Sequence, residues 1–94
     1  MRLSWSRLAF EDRTRILDHI AQDNPAAAAA LDERIEEQLE GLRQNPELGR
    51  SGRVQGTREL VIAQTAYIAA YRVEADRIRI LRILHSAQLW PDGF

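Results

Sequence analysis

Two residue types are missing altogether from this sequence: cysteine and lysine. Without cysteine there are no disulfides and no thiolate ligands for a metal. Metal binding would fall to His19, His85 and carboxylates, but the two histidines lie in different elements and lack ligand spacing. No metal site and no cofactor are expected. No apolar run approaches the ~18 residues of a membrane span, and the opening MRLSWSRLAFEDR lacks the apolar core of a signal peptide. The expectation is a cytoplasmic protein with no membrane contact. There is also no Walker-type loop, dinucleotide fingerprint or zinc-helix motif. The absence of lysine leaves every one of the thirteen basic residues as arginine, whose planar fork suits carboxylates and phosphates.

What is present fits one small domain over residues 1–94, with 45% hydrophobic residues and room for one core. The net charge of −1 hides a division along the chain. Residues 1–47 carry six arginines against ten acids, and residues 48–94 carry seven arginines against four acids. The second half therefore points to an anionic partner, unless its arginines are merely solvated.

Residues 2–5 suit a short edge strand. Ser6 is placed to cap a helix over about 7–22, with Leu8, Ala9, Ile16, Leu17 and Ile20 as its apolar stripe and Glu11, Asp12 and Asp18 facing away. Asn24-Pro25 caps a second helix over about 25–44, on which Ala28, Leu31, Ile35, Leu39 and Leu42 recur at three- and four-residue steps. Asn45-Pro46 stops it. The stretch GRSGRVQGTREL (49–60) reads as a glycine-rich loop leading into a strand. Beyond it the period falls to two: Leu60 and Ile62 alternate with Glu59 and Val61, and Tyr67, Ala69, Tyr71 and Val73 form one parity. Glu74-Ala75-Asp76 is a turn. The run from Ile78 to His85 is apolar on both parities, as in a central strand, with Arg79 on the Leu81 face and Arg82 on the Ile80 face. The order is β-α-α-β-β-β, an α+β fold with a helical hairpin packed on a small, mainly antiparallel twisted sheet.

Several side chains admit a chemical and a structural reading. His85 can serve as a general acid or hydrogen-bond the tail. Glu59 can serve as a general base, or be a solvated residue or ion-pair partner of Arg58 or Arg72. Tyr67 and Tyr71 share a strand face and suit packing or base stacking. Arg50, Arg53 and Arg58 form either a solvated cluster or a patch for phosphates or carboxylates.

The segments GRVQGTRELVI, TAYIAAYRV and IRILRILHSAQLWP resemble the RelE/ParE family of type II toxin–antitoxin toxins. The spaced residues Trp5, Ser6, Ala9, Asp12, Ile16, Ile20, Asn24 and Pro25 carry the resemblance through the first half. It implies a bacterial toxin that inhibits growth until a cognate antitoxin wraps a segment around it. Members divide by target. RelE-type toxins cleave mRNA on the ribosome with basic strand residues, an arginine beside the third-strand tyrosine, and a further arginine or histidine and a tyrosine near the C-terminus. ParE-type toxins lack that set and poison DNA gyrase without hydrolysis. Here Glu59 and Val61 stand where a RelE-type strand carries lysines, Ile68 follows Tyr67, and the tail has no tyrosine. The resemblance therefore implies the ParE-like branch and no favoured catalytic residue. The alternative is a ribosome-dependent mRNA endoribonuclease using Glu59 as base, His85 as acid and Arg82 for charge stabilisation. In either case a helical antitoxin segment is expected in a groove walled by the hairpin, with its acids against Arg50, Arg53, Arg58 and Arg72.

Overall fold

The computed structural model describes residues 1–94. Strand β1 (Arg2–Trp5) leads directly into helix α1 (Arg7–Asp23), whose first turn is capped by Ser6: its hydroxyl accepts the Ala9 N–H at 3.0 Å. Asn24 ends α1 and starts α2 (Pro25–Glu40). Its backbone N–H donates to the Ile20 carbonyl, and its side chain accepts from the Ala27 N–H at 3.0 Å. Pro25 sits where a missing N–H costs nothing. The regular helix stops at Glu40, four residues short of expectation, and tightens into a 3-10 turn over Gly41–Arg43 that still buries Leu42.

Four strands follow: β2 (Arg50–Ser51), β3 (Arg58–Val61), β4 (Tyr67–Val73) and β5 (Arg77–His85). They form with β1 a five-stranded sheet in the order β1-β5-β4-β3-β2. The fold is α+β, two helices on a mixed sheet, with one strand more than expected. The extra strand, β2, lies inside the glycine-rich stretch. It pairs antiparallel with β3, matching Arg50 to Glu59 and Ser51 to Arg58. Gly49 and Gly56 make this hairpin possible. A Cβ on Gly49 would stand 2.7 Å from the Tyr71 ring and 2.9 Å from the Glu59 carbonyl, and Gly56 takes φ of +81°. The mixed character comes from β1, which runs parallel to β5 from Arg2–Arg77 to Trp5–Ile80, so the first strand lies beside the last.

The helices cover one face of the sheet. Ala9, Ile16, Leu31, Ile35, Leu39 and Leu42 meet Leu60, Ile62, Ala69, Tyr71, Ile78, Ile80 and Ile83 in one cluster. Leu8, expected in that stripe, is 48% exposed, whereas Asp12, expected to face solvent, is 1% exposed. Tyr71 is fully buried and ties the sheet to the segment before β2. Its hydroxyl donates to the Pro46 carbonyl and accepts the Gly49 N–H, both at 2.8 Å.

The register of β4 with β5 shifts between Ala70 and Tyr71: Ala70 faces Arg82 but Tyr71 faces Ile80, so Leu81 is an extra residue on β5. This bulge resets the alternation. Ile80 and Ile83 both reach the helical core, and Arg82 moves to the face opposite Ile80, against the expectation from strict parity. The opposite, rear face carries Ile68, Ala70 and Leu84, all buried. The chain after β5 turns back to this face, where Gly93 and Phe94 line a cleft with Arg72 and Arg79. In the same segment Trp90 donates its indole N–H to the His85 carbonyl at 3.3 Å and lies 3.7 Å beneath the Arg53 guanidinium.

Candidate functional site

The strand registers lay one row of side chains across the rear face. Arg50 pairs with Glu59, Glu59 with Ala70, and Ala70 with Arg82. With strands 4.7–4.9 Å apart, the backbones of Glu59 and Arg82 are roughly 10 Å apart. His85 is not in this row. It pairs with Tyr67 on the helix-covered face, and the two rings meet edge to face at 5.3 Å. Its Nδ1 accepts the Ala87 N–H at 3.0 Å, and its ring lines a shallow cleft with Arg15, Ile16 and His19. The structure thus puts two of the three residues considered for RNA cleavage on one face and the third on the other.

Each of the two has its charge engaged. Glu59 is 3% exposed and is neither solvated nor bound to Arg58 or Arg72. Its carboxylate accepts the Arg53 backbone N–H at 2.8 Å and an Arg50 guanidinium N–H at 3.1 Å, with the Arg53 guanidinium at 3.4 Å. A buried carboxylate needs such partners. This one organises the glycine-rich stretch from inside, which is why an acid stands at the second position of β3. Arg58 turns away from Glu59 and donates to the carbonyls of Gly49 and Glu47 at 2.9 and 3.4 Å, satisfying backbone acceptors before β2.

Arg82 forms a fork with buried Asp12: its Nε donates to one carboxylate oxygen at 2.7 Å and its Nη2 to the other at 3.1 Å. Asp12 also accepts from the Ile83 backbone N–H at 3.0 Å and from Arg15. These hydrogen bonds raise the Arg82 pKa above its ordinary value, against the opposing effect of partial burial. The fork joins α1 to β5 beyond the end of β1, where β5 has no strand neighbour on that side. Asp12 was legible in principle. It lies three residues after Ala9 and four before Ile16, on the same helical stripe, and only its charge argued for solvent.

The rest of the rear face is richer in arginine than sequence reading allowed. Arg72 of β4 stands directly opposite Arg79 of β5. Arg77 binds Glu74 at 2.7 Å, and Arg2 binds Asp76 at 3.3 Å. Arg79 was not among the expected site residues. A turn centred on Ala75 would align residue 72 with residue 78; the observed register, with four residues between Val73 and Ile78, aligns Arg72 with Arg79 instead. The place of Trp90 under Arg53 had no sequence signal. No group of histidines and carboxylates is arranged to hold a metal. No helix is long and apolar enough to cross a membrane.

A family model described as the ParE toxin of the type II toxin–antitoxin system, parDE, matches residues 3–90. The chain belongs to the ParE toxin family. Its likeness to solved structures agrees. The chromosomal ParDE toxin–antitoxin system of P. aeruginosa contains a chain that superposes with a TM-score of 0.83 at 35% identity, covering 90% of this chain and 95% of that one. Among curated proteins, Y4kP of Sinorhizobium fredii is 39% identical over 90 residues, 96% of this chain and 93% of its own. Toxin RelE2 of Caulobacter vibrioides is 35% identical over 85 residues, 90% of this chain and 94% of its own. As a ParE-family toxin of a type II system, the protein has an antitoxin as its partner.

Proposed function

We propose that this ParE-family toxin arrests growth by binding DNA gyrase, without hydrolytic chemistry of its own, until its antitoxin occupies it. The observation that carries this reading is the separation and engagement of the only candidate catalytic groups. Glu59 is buried between Arg50 and Arg53, Arg82 is forked onto Asp12, and His85 lies on the other face of the sheet. In-line attack on a phosphodiester needs a base, an acid and a charge stabiliser around one phosphate. Rearranging these three would require breaking the ion pairs of Glu59 with Arg50 and Arg53 and of Arg82 with Asp12, and bringing His85 round from the other face of the sheet.

The competing reading, a ribosome-dependent mRNA endoribonuclease, draws support from the arginine-rich rear face and from a relative that bears the name RelE. Brief induction of the toxin distinguishes them. The expected outcome is gyrase-dependent double-strand breaks and SOS induction, with mRNA intact at codon boundaries on ribosomes. The Glu59→Gln/His85→Ala variant is expected to keep its toxicity. Prompt codon-specific cleavage without DNA damage, abolished in that variant, would overturn the proposal.

A further inference from the structure

We infer that Arg72 and Arg79 form a two-arginine clamp for a carboxylate carried beside an apolar side chain on a segment of the antitoxin; this rests on reading the chain as an antitoxin-neutralised toxin. The two arginines face each other across β4 and β5. Like charges directly opposite on a sheet repel and destabilise it, and both guanidiniums are charged at any physiological pH. Elsewhere on this face each arginine has its acid: Arg77 has Glu74, Arg82 has Asp12, Arg2 has Asp76, and Arg50 and Arg53 share Glu59. Arg72 and Arg79 have none. The one bond of the pair, from Arg79 to the Ser4 hydroxyl at 3.1 Å, orients a guanidinium without neutralising it.

The surroundings specify the ligand. The pair opens onto a cleft of about 420 Å³ that Leu8, Leu81 and Phe94 also line. Leu8 and Phe94 are 48% and 41% exposed, the former in spite of its place among the apolar residues of α1. Two free positive charges beside exposed apolar carbons fit one anionic group flanked by a large aliphatic or aromatic side chain. A nucleic-acid backbone fits less well. It needs a continuous track of free cations, whereas the neighbouring arginines are already paired with acids, and a phosphate chain would leave Leu8 and Phe94 uncovered. An acidic, apolar-anchored peptide satisfies both halves of the cleft.

The test uses the full-length toxin and the antitoxin encoded with it, with affinity measured by calorimetry at 50 and 500 mM NaCl. The Arg72→Gln/Arg79→Gln variant is expected to bind at least tenfold more weakly at low salt, and the deficit should shrink at high salt. Leu8→Ser should weaken binding several-fold, and Arg7→Gln, which changes an exposed charge outside the cleft, should not. If the double variant fails to fold by circular dichroism, Arg72→Lys keeps the charge but loses the fork and should still bind a few-fold more weakly. Unchanged antitoxin affinity in folded variants would overturn the clamp. So would loss of binding to a 24-base-pair DNA duplex with antitoxin affinity intact, which would make the pair a phosphate contact. Failure of the wild-type chain to bind the antitoxin would strike at the toxin reading itself, and the clamp would fall with it.

Discussion

At the scale of single residues, two buried polar groups decide how the chain holds together. Asp12 is surrounded by donors from β5 and from its own helix, and its charge is the only one that balances Arg82. Asp12→Asn keeps the shape but removes that charge and one acceptor. It is expected to cost roughly 2–4 kcal/mol, since breaking one side of a buried pair leaves the other uncompensated. Urea unfolding measures this, and a double-mutant cycle with Arg82→Gln should give a coupling above about 1 kcal/mol. Tyr71 is the other case. Burial raises its pKa above 10.0, outweighing the Gly49 N–H hydrogen bond and the nearby Arg58, which act in the opposite direction. The unfolded chain therefore releases the phenolic proton first as pH rises. Stability is fully present below about pH 10 and is lost as pH climbs from there through the folded value. Tyr71→Phe should remove this component of the alkaline loss. It should also cost about 1–3 kcal/mol at neutral pH by leaving the Gly49 N–H and the Pro46 carbonyl unpaired. Stability curves at pH 7 and pH 10.5 check both statements.

At the scale of elements, the helices were legible because their ends are written in side chains: Ser6, Asn24 and Pro25 act where their chemistry predicts. Four of the five strands were legible in existence, and less so in detail. β2 has only two residues, and neither can show an alternation. The bulge at Leu81 was hidden because a strand apolar on both faces gives no sign of where its parity resets. That reset also determined the candidate site, since it puts Arg82 on the rear face and His85 on the other. The placement of the chain after β5 is a further detail that no periodicity announced. Trp90 lies under Arg53, an arrangement favoured by the attraction of a cation to an aromatic face. Trp90→Ala should lower stability by about 2 kcal/mol, or roughly 10 °C in melting temperature for a chain of this size. Arg53→Ala should shift the Trp90 fluorescence, and with Trp90 removed the same substitution should leave the remaining Trp5 signal unchanged.

At the scale of the molecule, the uneven distribution of charge along the sequence becomes a division between surfaces. The acid-rich first half supplies the two helices, and the arginine-rich second half supplies four of the five strands. The general arrangement was therefore legible, down to a helical hairpin on one face of the sheet. What was not legible was which arginines remain free, because that depends on pairs formed by residues as far apart as Asp12 and Arg82 or Arg2 and Asp76. The parallel pairing of β1 with β5 has a consequence in time. Strand β1 finds its only neighbour in β5, the last strand in sequence, and α1 is pinned there as well. Contacts this distant in sequence must wait until β5 has been made, which at 5–20 residues per second comes on the order of ten seconds after β1. Until β5 emerges, β1 has no partner, and neither the finished sheet nor the Arg72–Arg79 pair exists.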